Sequence, residues 1–169
     1  MRAKPGQHLT QAGVDLARRV GVGMGRFGRV LTSRVPRAYE TAIAMGYAVD
    51  EQLEALSATP DGLGAEVDWR AGCAVFARAA RADGVTARYA RQLGDVMRSI
   101  AAALPEGGRA LVVSHGGIVE ASAVGCRPDD DFAGWGPSCG YCEGVRLSFE
   151  GDCCVAVELM RVPGSVLES

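Results

Sequence analysis

ALVVSHGGIVE, residues 110–120, is the stretch on which the reading of this chain turns. The strand expected over 109–114 is apolar without interruption from Ala110 to Val113, as befits a strand buried on both faces of a parallel sheet. Ser114 and His115 stand at its carboxyl end, and Gly116 and Gly117 lead into a helical stretch near 117–123. A histidine at a strand tip, followed by residues without side chains, sits where backbone and imidazole can approach a ligand together.

A second stretch has the same build. RVLTS (29–33) reads as a short buried strand, and RVPRAYETAIAMG (34–46) as a helix with Pro36 in its first turn and Gly46 as its stop. Arg37 falls one residue after the proline, at the positive end of the helix dipole, where a guanidinium adds a two-pronged grip for an anion. Ser33 caps the start of that helix. Between the two stretches, residues 47–68 lose periodicity and carry Glu51, Glu54 and Glu66, which reads as a surface excursion with some local helix.

The remaining segments complete an alternating pattern. Thr10 caps a helix through Gly21, with Leu9, Ala12, Leu16 and Val20 as its apolar stripe. Two antiparallel helices follow the excursion, divided at Gly84; Tyr89, Leu93, Val96, Met97, Ile100 and Leu104 share a face of the second. A glycine- and aspartate-rich loop spans 124–141, and two strands, 143–149 and 153–162, close the chain around a tight turn. Strands alternating with helices predict an α/β fold: a three-layer sandwich with a mostly parallel central sheet flanked by helices. At 169 residues the expectation is one domain, 1–169.

Composition excludes several function classes. The formal charge of −2 with scattered basic residues gives no footprint for nucleic acid or an anionic membrane. No apolar stretch is long enough to span a bilayer, and the first residues lack a secretory signal, so a cytoplasmic setting with reduced thiols is expected. Of six cysteines, Cys139 and Cys142 have the spacing of a redox or zinc half-site. Cys153 and Cys154 are neighbours in a strand and point to opposite faces, so they make a poor second half. No metal and no cofactor are expected.

SRVPRAYETA, LVVSHGG and HLTQAGVDLA together resemble three motifs of the histidine phosphatase superfamily, the phosphoglycerate mutase-like clan. The resemblance runs from about Leu9 to the final strand. It implies a phosphate pocket in which Arg37 grips the phosphoryl oxygens and His115 stabilises them as they gain charge. Glu54 stands where the family places its proton donor, with Glu66 as the alternative. Ser33, Gly116, His8 and Arg2 are the remaining substrate-contact candidates, Arg2 if the N-terminus folds over the pocket. The partner implied is a small phosphate ester, or a phosphate or sulfate ion; a homodimer is also considered.

The resemblance breaks at its start. The family opens with a buried strand ending in Arg-His-Gly or Arg-His-Ala, whose histidine becomes phosphorylated. Here the chain begins MRAKPGQHLT, and its only histidines are His8 and His115. His8 lies on the loop before the first helix, not at a strand end. Three explanations are weighed: a start placed too late, a gap filled by the rearranged N-terminus or a second copy, or a degenerate relative that only binds. The expectation for the chain as written is negligible phosphatase activity, with a phosphate-binding protein as the alternative and a Cys-x-x-Cys thiol or zinc protein behind it.

Overall fold

The computed structural model describes residues 8–68 and 71–163. It divides into two compact units, one formed by the chain up to Ala58 together with Leu104–His115, the other by Thr59–Ala103 and the chain from Gly116 onward.

The first unit holds α1 (Gln11–Gly21), β1 (Arg29–Ser33), α2 (Pro36–Ala44), β2 (Glu51–Leu53) and β3 (Ala110–Val113). Its three strands form a parallel sheet in the order β2-β1-β3. β1, α2 and β2 make one strand–helix–strand crossover, the connection a parallel pair requires. Leu31 lies opposite Glu51 and Val112, and Thr32 opposite Gln52 and Val113. β1 therefore runs down the middle, which is why Val30, Leu31, Thr32 and Ser33 are all buried. Val30, Ala38, Ala42 and Val113 form the core between sheet and α2, with Phe27, Tyr47, Val49 and Leu111 around it.

The sheet's two margins differ. β2 exposes Glu51 and Gln52, polar residues of the kind that discourage pairing with another chain. β3 pairs with β1 alone among the described strands, yet carries only apolar residues. Among the described residues, the strand leading to His115 thus has one neighbour and the sequence of an interior strand.

The second unit holds α3 (Leu63–Glu66), α4 (Cys73–Ala80), α5 (Val85–Ala102), α6 (Ile118–Cys126), β4 (Gly144–Glu150) and β5 (Cys153–Met160). α5 buries Tyr89, Leu93, Met97 and Ile100 on one face, as its periodicity predicts. It meets α6 where glycines face: a methyl on Gly125 would lie 1.8 Å from the Ala90 carbonyl oxygen, and one on Gly94 2.4 Å from that of Gly125. The helices approach so closely that no side chain fits between them. β4 and β5 form an antiparallel hairpin around Gly151, with a bulge opposite Ser148 and Phe149.

Most predicted elements stand within a few residues of their expected limits, and the α/β class with a parallel sheet holds. Two readings are corrected. The excursion contains a strand, β2, whose three residues are too few to show any period. The first helix buries Ala17 and leaves Ala12 exposed, with Leu9, Leu16 and Val20 half-buried, so its inner face lies beside the stripe that Leu9, Ala12, Leu16 and Val20 suggested. The end of α1 lies close against the residue that follows α2: a methyl on Gly21 would lie 2.2 Å from the Met45 carbonyl oxygen.

Candidate functional site

Because the three strands of the first unit are parallel, Ser33, Leu53 and Val113 end them on one side of the sheet. Three of the residues the sequence marked for chemistry follow those ends: Arg37 after β1, Glu54 after β2, His115 after β3. Ligands bind outside the carboxyl ends of such strands.

The structure brings Ser33, Arg37 and His115 together. Ser33 Oγ lies 3.0 Å from His115 Nε2, and Arg37 Nη2 lies 3.5 Å from His115 Nδ1. The cap position of α2 is Val35, not Ser33 as expected: Ser33 Oγ accepts the Val35 N–H, at 3.3 Å, ahead of the helix, and bonds the imidazole as well. Burial, and then the neighbouring Arg37 charge, push the His115 pKa down to about 4. The free site at neutral pH is a neutral imidazole flanked by a fixed cation. Gly116 follows His115 in the chain and is exposed.

Ser114, which sequence reasoning passed over, anchors the strand end. Its Oγ donates to the Leu56 carbonyl at 2.8 Å, spanning from β3 to the turn after β2. Ser57 secures the same turn: its hydroxyl donates to the Leu53 carbonyl at 3.1 Å and accepts the Arg34 N–H at 2.9 Å. These bonds tie the three strand ends together around β1. Serines at strand ends are the sequence signal for such ties, since a short hydroxyl reaches neighbouring backbone.

Glu54 stands on this turn, exposed, with its carboxylate 3.0 Å from Arg34 Nη1. Glu66, the alternative acid, is committed elsewhere. Its carboxylate accepts the Val85 and Thr86 N–H groups and the Thr86 hydroxyl at 2.7–2.8 Å, capping α5. Those bonds lower its pKa, which disfavours it as a proton donor.

His8 is exposed and bonds through Nδ1 to the Glu40 carboxylate, which also accepts the Leu9 N–H at 2.6 Å. That pairing pins the loop onto α2. Arg2 lies outside the described residues.

In the second unit, Glu120 is buried and anchors the turn that follows His115. One carboxylate oxygen accepts the Gly117 N–H at 2.6 Å and the other the Cys139 N–H at 2.8 Å. Gly117 has φ of +87°, a conformation only glycine adopts without strain. The spacing Gly117-x-x-Glu120 is the signal that was missed: a glutamate three residues into a helix reaches back to the residue that opens it.

The Cys-x-x-Cys segment has a different character from a redox site. Cys139 is buried, and burial pushes its thiol up to about 12, the opposite of an activated cysteine. Among the described residues no cluster of three or more histidine, cysteine or acidic side chains is placed to hold a metal. None of the described helices is long and apolar enough to cross a membrane.

The sequence matches no protein-family model and no curated protein. Its structure does have counterparts. A mycobacterial glucosyl-3-phosphoglycerate phosphatase solved with inorganic phosphate aligns at a TM-score of 0.60 and 20% identity, over 97% of this chain and 92% of that one. The same enzyme solved with VO3 aligns at 0.57 and 19%, over 84% and 81%. A phosphoglycerate mutase from Thermus thermophilus aligns at 0.54 and 18%, over 92% and 85%. The chain therefore has the phosphoglycerate mutase-like α/β fold. Its structural neighbours are proteins of the histidine phosphatase superfamily.

Proposed function

We propose that this chain is a single histidine-phosphatase-like domain, 1–169, that binds the phosphoryl group of a small phosphate monoester, or free phosphate or sulfate, between Arg37 and His115. One observation carries the reading: a guanidinium and an imidazole stand 3.5 Å apart past the carboxyl ends of parallel strands. Arg37 takes two oxygens of the group in a charge-assisted fork, and His115 takes a third. Gly116, next to His115 in the chain, is a further contact, and Glu54, on the turn after β2, is the carboxyl that would protonate a leaving oxygen wherever such a step occurs. Arg2 and His8 are outlying contacts. No metal is required, since these side chains supply the neutralising charge. The neighbours' complexes with phosphate and VO3 support the class of ligand.

In superfamily enzymes, hydrolysis or phosphoryl transfer passes through a phosphohistidine. We propose that the 169-residue chain binds without appreciable turnover, because it offers no second strand-end histidine for that step. The engagement of His8 with Glu40 favours this reading. The test pairs two assays on the full chain. Inorganic phosphate is expected to bind one to one by calorimetry, while an aryl phosphate is hydrolysed no faster than by a His115→Ala variant. Failure to bind phosphate would overturn the site; efficient hydrolysis would overturn the claim of binding without turnover.

A further inference from the structure

The hydrogen bonds around His115 fix more than its position. A guanidinium can only donate, so the Nδ1 facing Arg37 is an acceptor and carries no proton. The single proton of the neutral ring therefore sits on Nε2 and is donated to Ser33 Oγ, whose second lone pair takes the Val35 N–H. This tautomer is assigned from the bonding pattern. Ser33 is fully buried between these donors, so no water competes for the place.

In the free site the single Nδ1 lone pair is turned to the Arg37 guanidinium, and an anion that takes the guanidinium N–H in its place leaves that lone pair without its donor. An oxyanion drawn in by Arg37 meets that lone pair with its own negative oxygens, a repulsive contact. A proton on Nδ1 turns the contact into a charge-assisted hydrogen bond, with Ser33 still accepting from Nε2. We propose that Ser33 is a positioning residue that holds His115 in its Nε2–H form, so that an oxyanion enters beside Arg37 together with one proton taken up on Nδ1. The inference rests on the phosphate-site reading above and deepens it.

The balance is simple: one dianion and one solvent proton go in, the ring becomes an imidazolium, and no covalent bond between heavy atoms changes. A phosphate monoanion can bring its own proton; sulfate, which stays a dianion at neutral pH, must take one from solvent. Arg37 is the charged group facing the ring from α2, and β1 presents Ser33. Arg34 and Glu54, at the neighbouring strand ends, are paired with each other. The free imidazole, with its pKa pushed down to about 4, is neutral across the working range, so uptake is driven by the anion alone.

Sulfate is the clean probe. Calorimetric titration of the full chain at pH 6, 7 and 8, in buffers of different ionisation heat, is expected to show close to one proton bound per sulfate. Affinity falls about tenfold per pH unit wherever that proton is taken up. Long-range nitrogen–proton spectra of His115 at pH 7 should show the Nε2–H tautomer. Ser33→Ala is expected to weaken sulfate about tenfold, the worth of one hydrogen bond to a charged group, and to shift the His115 nitrogen signals. Without the Ser33 acceptor the ring is no longer held in the Nε2–H form, so Ser33→Ala should also lower the proton count below one, whereas a structural role alone would leave it untouched. Sulfate binding without proton uptake, or an Nδ1–H tautomer, overturns the inference even if Ser33→Ala fails to fold, because both are read on the unaltered chain. Absence of binding by sulfate and phosphate alike overturns the phosphate-site reading instead.

Discussion

Two helices of equal length begin just beyond strand ends, and they treat their positive termini in opposite ways. α6 brings its own anion: the buried Glu120 carboxylate takes the Gly117 and Cys139 amides, so its opening turn is closed to an outside ligand. α2 has Val35 at its cap, a residue whose side chain cannot accept a helix amide and whose own N–H goes to the neutral Ser33 hydroxyl, and the groups beside it are Arg37, a cation, and His115, a neutral ring. A guanidinium and a neutral ring beside a helix start leave the local charge positive, which favours an anion; a helix that has taken in a carboxylate does not. The difference teaches that a glycine-rich strand–helix turn is not in itself a phosphate site. What matters is whether the chain has already supplied the negative charge.

The comparison breaks most readily at Arg37. Arg37→Ala is expected to weaken inorganic phosphate at least 100-fold by calorimetry, about 3 kcal/mol for a two-pronged charged contact. Unchanged affinity would mean that α2 is no more an anion site than α6. Glu120→Ala tests the other helix and should act on stability. It strands two buried amides, at about 2–4 kcal/mol in total, read from the denaturant midpoint. Glu120→Gln should recover only part of this, because its amide nitrogen must face one of the two donors.

The next effect is a pH dependence. His115 has its folded pKa depressed, so the unfolded chain binds the extra proton between about pH 6.5 and 4. The associated stability is therefore full above pH 6.5 and is lost as pH falls toward 4. With the ring only part buried, the loss is on the order of 2 kcal/mol, and His115→Gln should abolish it. Glu66 has its pKa lowered by its bonds to α5, so its contribution is present at neutral pH and disappears on acidification through the carboxylate range. Glu66→Gln is expected to speed hydrogen exchange at Val85 and Thr86 selectively. Smallest is Glu54→Gln: its exposed pair with Arg34 should change stability by under about 0.5 kcal/mol.

Much of this is legible in the sequence. β1 came out residue for residue and α5 nearly so, because continuous apolar runs and a long 3.6-residue stripe are strong signals. The triad of Ser33, Arg37 and His115 was nameable from motif resemblance, and the sheet brought all three together. What could not be read was fixed by tertiary pairing. β2 exists because Leu31 to Ser33 offer it hydrogen bonds, not because Glu-Gln-Leu favours a strand. Glu66 looked like a candidate acid until α5 claimed both its oxygens. Ser33 read as a cap, and its bond to a ring 82 positions away has no local signature.

A crystal structure grown with vanadate would examine the central claim most directly. The account predicts an oxyanion within hydrogen-bond reach of the Arg37 guanidinium and His115 Nδ1, with Ser33 Oγ still on Nε2. Vanadate bound elsewhere, with Arg37 and His115 contacting only each other, would contradict it.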